Sequence, residues 1–182
     1  MISFKANLVS RTTVQKLDSN NNPLFHNVAF VELQPVSLRD KKTLDELARL
    51  WCGTEDSFAS SIREDFKDVY KQGNPNKRFF ALTEQSGKFE KLDTLYILGL
   101  MEITQHTFKK FWIDYLQVAP DFCYSVKDRR MQHIGKSMIE SLKKLLPDKN
   151  LYLDPVSTAK KFYEKQGFSF INGLSMAFKP KS

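Results

Sequence analysis

Four basic side chains surround one turn of the sequence, between an apolar segment and an amphipathic one. Residues 111–118 are rich in aromatic and β-branched types, which predicts a strand that ends before Pro120. Apolar residues then recur at helical spacing from Ile134 onward. The basic residues at the turn are Arg129, Arg130, His133 and Lys136. Because a helix N-terminus presents unpaired N–H groups, this turn predicts a phosphate site.

Two carboxylates interrupt predicted strands that are otherwise apolar. Asp114 shares a period of two with Leu116 and Val118, so we expect these three side chains on one face. Glu102 belongs to the preceding strand, where it alternates with apolar residues. A carboxylate inside an apolar sheet is paired, solvated in a cleft, or functional. Either residue could relay a proton, and a structural ion pair is an equal alternative for each.

Length and composition indicate a folded protein. The 182 residues are 41% hydrophobic and 13% aromatic, which predicts a single domain over 1–182, with 1–27 as a strand or arm packed on it. No apolar run reaches the length of a membrane span, and the first residues lack the apolar core of a signal peptide. Cys52 and Cys123 show no disulfide spacing, so we expect a cytoplasmic protein without a membrane partner.

The net charge of +7 narrows the choice of partner. Many of the basic residues fall between 127 and 165, which favours a local site for a small polyanion over a uniformly basic surface. The chain also lacks a recognised nucleic-acid-binding module, so we expect no nucleic-acid partner. Three scattered histidines and two separated cysteines give no metal-ligand spacing, so we expect no metal.

The order of predicted elements is β-α-α-β-β-β-α-β-α-β-β after the N-terminal segment. Ser37 followed by Asp40 predicts a helix start, and Asn172-Gly173 predicts a terminal hairpin. Alternating strands and helices of this kind predict an α+β fold in three layers. We expect a mixed, mostly antiparallel central sheet of about seven strands, flanked by four helices.

Two motifs resemble those of the GNAT superfamily of acyl-CoA-dependent N-acyltransferases. The first is the strand ending in Leu116-Gln-Val118, followed by Arg130 and, five positions later, Gly135; His133 stands where the family has its first glycine. The second is the more specific, because five of its positions match in type and spacing: Ala159, Phe162, Tyr163, Gly167 and Phe168. Val156 departs from the asparagine that is common there.

The resemblance implies acetyl-CoA as co-substrate and assigns roles to particular residues. The backbone N–H of Val118 would meet the thioester carbonyl, and Tyr163 would protonate the departing thiolate. Asp114 and Glu102 are the candidate bases. The residues expected to bind the cofactor are Leu116, Gln117, Val118, Arg129, Arg130, Met131, Gln132, His133, Ile134, Gly135, Lys136, Ser137, Ser157 and Phe162.

Two functions from different classes agree with this pattern. One is transfer of an acetyl group, in a ternary complex, to a primary amine of a small molecule or a peptide. The other is an acyl-CoA-binding sensor or partner module without turnover. In either case we expect a monomer or a homodimer. The acceptor side would lie near the two N-terminal helices, where acidic residues such as Glu55, Asp56 and Asp65 could attract a cation or be ordinary surface charges.

Overall fold

The computed structural model describes residues 5–51, 58–123, 126 and 130–180. Within these residues the chain forms nine strands and four α-helices. The strands are β1 (Asn7–Leu17), β2 (Pro23–Leu33), β3 (Lys77–Thr83), β4 (Ile97–Thr107), β5 (Lys110–Val118), β6 (Met131–Gln132), β7 (Asn150–Leu153), β8 (Ser169–Phe170) and β9 (Met176–Phe178). The helices are α1 (Leu38–Leu50), α2 (Ala59–Gln72), α3 (Ile134–Leu145) and α4 (Lys160–Lys165).

All nine strands belong to one sheet, in the order β6-β1-β2-β3-β4-β5-β7-β9-β8. Every neighbouring pair is antiparallel except β5 and β7, which run parallel. A parallel pair needs a long crossover, and here the chain from β5 to β7 passes through α3. The parallel pair joins the six strands from β6 to β5 to the three strands β7, β9 and β8.

Two helical layers cover opposite faces of the sheet, as the sequence predicts. On one face, Leu44 of α1 and Phe66 of α2 pack with Phe79 of β3 in a buried cluster. On the other face, Met138 of α3 and Tyr163 of α4 belong to a second buried cluster. Each face of the sheet is therefore apolar, which explains the continuous apolar runs of the central strands.

The prediction of about seven strands is wrong, because the sheet has nine. The two additional strands are β6, whose two residues are too few to show any period in the sequence, and β1, in the segment expected to be a strand or arm. The predicted terminal hairpin is present as β8 and β9. The N-terminal segment is also more regular than the expected short strands or arm. There β1 is one strand of eleven residues that pairs with β2, and β2 already begins at Pro23, inside the segment expected to be a strand or arm.

Local signals set the start of α1. The side chain of Ser37 accepts a hydrogen bond from the backbone N–H of Asp40 at 3.2 Å, which confirms the predicted cap. The carboxylate of Asp40 accepts a second one from the N–H of Gln34 at 2.8 Å. No helix in the described part of the chain is long and apolar enough to cross a bilayer.

Candidate active site

The parallel strands β5 and β7 pair over three positions and then separate. The pairs are Lys110 with Asn150, Phe111 with Leu151 and Trp112 with Tyr152. Pairing of β5 with β4, on its other side, continues to Val118. The edge of residues 113–118 that faces away from β4 therefore has no partner strand among the described residues. The sheet is open at this edge, and we call the space beside residues 113–118 the cleft.

The backbone of Val118 faces this cleft. The N–H of Ala119 donates to the carbonyl of Leu98 at 2.8 Å, so Ala119 faces β4. Backbone groups alternate in direction along a strand, so the N–H and C=O of Val118 point away from β4. A donor aimed at the cleft is therefore available at the predicted position.

The N-terminus of α3 has the geometry of an anion site. The N–H of Ser137 donates to the carbonyl of His133 at 2.8 Å, which is the first turn of the helix. Helix geometry leaves the N–H groups of the preceding residues, Ile134 to Lys136, without intrahelical acceptors. The segment before the helix is fixed to β1, because Met131 and Gln132 pair with Lys16 and Gln15.

His133 has the backbone conformation that a glycine would adopt. It is the N-cap residue of α3, with φ 65° and ψ 14°, in the left-handed region. That region is costly for residues with a Cβ and is readily adopted by glycine. The turn before α3 therefore has, at His133, a backbone conformation that a glycine would adopt without strain.

The two predicted motifs meet in space. A Cβ built on Gly135 would lie 3.2 Å from Cζ of Phe162 and 3.6 Å from Cδ2 of Leu116. The first turn of α3 thus approaches both Leu116 of β5 and the aromatic pair of α4. A larger residue at position 135 would have to displace the Phe162 ring.

Tyr163 lies within an aromatic cluster formed by α4 and the segment that follows it. Its ring centroid is 4.9 Å from that of Phe162 and 5.7 Å from that of Phe168. Burial raises the pKa of its hydroxyl to about 12. The hydroxyl is therefore protonated at neutral pH, as a proton donor must be.

A bulge turns Asp114 away from the face on which the sequence placed it. Tyr115 pairs with Glu102 and Ile113 with Ile103, so Asp114 is the extra residue of β5. Leu116 and Val118 pack against the cluster under α3, whereas Tyr115 packs against the cluster under α1 and α2. The hydroxyl of Thr104 on β4 donates to Asp114 at 2.6 Å. The prediction that Asp114 shares a face with Leu116 and Val118 is wrong.

Glu102 lies in a buried ion-pair network. Nζ of Lys77 is 2.6 Å from Oε1 of Glu102 and 2.6 Å from Oδ2 of Asp65. The Glu102 side chain has no exposed surface, and its Oε2 has no hydrogen-bond partner among the described residues. Burial raises the pKa of Glu102 to about 8, although Lys77 acts against this shift. Burial acts to lower the pKa of Lys77, but its bonds to the two carboxylates outweigh this and keep it protonated.

Asp114 is more accessible to solvent than Glu102, and its surroundings also shift its pKa. Burial raises the pKa of its carboxyl group, while the Thr104 hydrogen bond and the charges of Lys77 and His106 act against that shift. Its side chain is only partly buried. It therefore combines a raised pKa with access to solvent.

The remaining predicted binding residues differ in what their side chains do. Met131 is a buried core residue, and the hydroxyl of Ser137 donates to the carbonyl of Thr13 on β1 at 2.6 Å. The side chain of Gln117 is buried against α2 instead of facing the cleft. Arg130 and Ser157 are exposed. Arg129, Glu55 and Asp56 lie outside the described residues.

The side chain of Lys136 lies on the flank of α3 that faces β1. With Thr12, Gln15 and Lys144 it lines a groove of about 230 Å³ between that strand and the helix. The backbone N–H of Lys136 is nevertheless at the N-terminus of α3. Its side chain therefore lines the groove beside β1, while its backbone belongs to the candidate anion site.

Sequence reasoning missed Lys77 and Thr104, which hold the two carboxylates. A lysine at the start of a strand carries no signal of its own, and its partners come from elements 12 and 25 positions away. No group of three or more His, Cys, Asp or Glu residues in the described ranges is arranged to hold a metal ion.

The comparisons with known proteins bear on the fold. No family model matches the sequence, and no curated protein matches it either. A solved structure from Desulfovibrio desulfuricans, assigned to the GNAT family of acetyltransferases, is similar with a TM-score of 0.57 at 16% identity, over 84% of this chain and 98% of that one. The chain has the GNAT fold.

Two further acetyltransferase structures are similar to this chain over nearly the whole of their own length. An acetyltransferase from Thermus thermophilus has a TM-score of 0.56 at 16% identity, over 84% of this chain and 96% of that one. The Campylobacter jejuni N-acetyltransferase PseH, in complex with acetyl coenzyme A, has a TM-score of 0.52 at 13% identity, over 84% and 99%. The fold predicted from the two motifs is therefore confirmed.

Proposed function

We propose that this protein transfers an acetyl group from acetyl-CoA to a primary amine of a small molecule or a peptide. The observation that carries the proposal is the cleft between β5 and β7. The backbone N–H of Val118 faces it. Gly135 in the first turn of α3 lies close to both Leu116 of β5 and Phe162, whose ring packs against Tyr163. The PseH complex with acetyl coenzyme A gives a precedent for this ligand in the same fold.

The donor's pyrophosphate would bind at the N-terminus of α3. The amides of Ile134, Gly135 and Lys136 supply directed donors there, and the helix dipole favours negative charge. Gly135 lets the Phe162 ring approach the first helical turn closely. The charge of Arg130, next to this turn, supports the same site.

The pantetheine arm would lie in the cleft and bring the thioester carbonyl to the N–H of Val118. A backbone donor fixed by the β4–β5 ladder costs no reorganisation as negative charge develops on the carbonyl oxygen. Tyr163 would then donate its proton to the sulfur as the carbon–sulfur bond breaks. Its raised pKa keeps that proton in place until the thiolate forms.

The acceptor amine must lose a proton before or during its attack on the carbonyl carbon. We assign this step to Asp114 rather than to Glu102, because Glu102 is fully enclosed and already bound by Lys77. Asp114 is four positions from Val118, at most about 13 Å along an extended strand. Water would therefore carry the proton from the amine, which reacts beside Val118, to the carboxylate of Asp114. Thr104 fixes the orientation of the carboxylate.

The direct test is turnover with acetyl-CoA and a panel of primary amines, followed by the release of free thiol. We expect thiol release that depends on the amine. Stabilisation against heat by CoA without thiol release for any amine would contradict the enzyme and favour the binding module instead. Each active amine should gain one acetyl group by mass.

A further inference from the structure

Helix α2 begins without a capping side chain from its own sequence. Its N-cap residue is Phe58, whose ring carries no hydrogen-bond acceptor. The first helical residue, Ala59, is completely buried. A buried backbone N–H that lacks an acceptor is costly, so a distant group must accept this bond.

Gln117 of β5 supplies the acceptor. Its Oε1 accepts the N–H of Ala59 at 2.7 Å, although the two residues are 58 positions apart in sequence. The Gln117 side chain is 6% exposed, so this bond is shielded from water. Beside it, the ring of Phe58 lies 5.3 Å from that of Tyr115, centroid to centroid. Both contacts join the beginning of α2 to β5.

The place of Gln117 on β5 gives the bond its significance. The residue directly precedes Val118, whose N–H faces the cleft, and its side chain points to the helical layer on the acceptor side of the sheet. One residue therefore connects the peptide that would polarise the thioester to the helix end that would border the amine.

We propose that Gln117 is a positioning residue for the amine acceptor. By capping α2 from β5 it holds the α2 N-terminus and the Phe58 ring at a fixed place beside the reaction centre. This inference rests on the acetyl transfer proposed above, since it assigns the acceptor side of the same site. Gln117 acts through Ala59 and makes no contact with the reacting atoms in this account.

The test compares two substitutions at position 117 in the full-length protein. Gln117→Leu keeps the approximate volume and removes the acceptor atom. Gln117→Glu keeps an oxygen in reach of the Ala59 N–H, at a helix end that favours negative charge. For Gln117→Leu we expect the KM for the amine to rise about tenfold or more, because small displacements in a site are costly. The KM for acetyl-CoA should stay within about twofold, and Gln117→Glu should restore most of the amine KM.

A purely structural cap would give a different pattern. It would lower the melting temperature and reduce all rates together through loss of folded protein, with both KM values unchanged. Gln105→Leu, on the neighbouring strand β4, serves as the matched control for a glutamine lost from the sheet. If Gln117→Leu does not fold, Gln117→Asn shortens the side chain while keeping its amide and replaces it in the comparison.

The outcomes separate the two proposals. Turnover with an amine KM that is unchanged in the Leu or Asn variant would overturn the role of Gln117 and leave acetyl transfer standing. An equal rise in the KM for acetyl-CoA would also overturn it. Absence of turnover in the unsubstituted protein, with every amine, would overturn both.

Discussion

Asp114 and Leu116 lie on opposite faces of the sheet, although one residue separates them along β5. The bulge at Asp114 inverts the alternation, so the carboxylate is on the side of α1 and α2 while Leu116 packs under α3. Under the proposed acetyl transfer, the base and a contact with the acetyl donor would come from one strand, and the two substrates would lie on either side of the same backbone.

The roles of the two carboxylates can be separated by their amide variants. Asp114→Asn should lower kcat by about 10²-fold or more, because the proton acceptor is removed. Since burial raises the pKa of Asp114, the unsubstituted protein should lose activity as the pH falls, starting above the usual range of an aspartate. The groups that face this carboxyl are Thr104, Lys77, His106 and Asp65.

Measurement of kcat against pH for both variants checks this assignment. Asp114→Asn should abolish the decline on the acid side, whereas Glu102→Gln should retain it with a much smaller loss of kcat. A larger loss in Glu102→Gln than in Asp114→Asn would transfer the role of base to Glu102.

Glu102 should make the stability of the fold depend on pH. Burial raises its pKa to about 8 from an ordinary value of 4.5. Between these values the folded state holds a proton that the unfolded state has released, so the free energy of unfolding should fall as the pH rises through this window. Glu102→Gln should flatten that slope in chemical denaturation.

The exposed Glu90→Gln is the control for a lost carboxylate, and its slope should match that of the unsubstituted protein. A Glu102→Gln slope as steep as that of the unsubstituted protein would show that other groups cause the dependence.

Tyr163→Phe should separate chemistry from binding. The ring packing with Phe162 and Phe168 is kept, while the proton for the thiolate is lost. We expect kcat to fall about 10²-fold, with the affinity for acetyl-CoA nearly unchanged. Single-turnover kinetics and a melting shift with CoA measure the two effects separately. Unchanged turnover would remove Tyr163 from the mechanism.

The left-handed backbone at His133 predicts an inversion of the usual preference for alanine over glycine. His133→Ala and His133→Gly both remove the imidazole, so they differ only in how well they tolerate φ 65°. His133→Gly should be the more stable by about 1 kcal/mol.

Lys136 is the third residue of α3, and there the alanine variant should be more stable than the glycine variant, as is usual in a helix. Lys136→Ala should exceed Lys136→Gly by roughly 1 kcal/mol in the free energy of unfolding. An alanine preference at both positions would show that position 133 is not strained.

The fold and the donor side of the candidate site could be predicted from the sequence because those features depend on local patterns of residues. The Ser37–Asp40 cap and the spacing of Gly135, Phe162 and Tyr163 can be recognised without coordinates. The bulge at Asp114 could not be predicted, since both faces of β5 are covered and the strand has no clear alternation of apolar and polar residues for an extra residue to interrupt. The Gln117 cap of α2 joins residues 58 positions apart, and its only signal is the unsuitable N-cap residue Phe58.

Acetyl-CoA should bind in the cleft with its phosphates on the amides that begin α3. Isothermal titration of the purified protein with acetyl-CoA, and with CoA, measures this binding. We expect saturable binding of one ligand per chain, weakened in Arg130→Ala. Absence of heat together with absence of a melting shift for both ligands would show that this site does not bind acetyl-CoA.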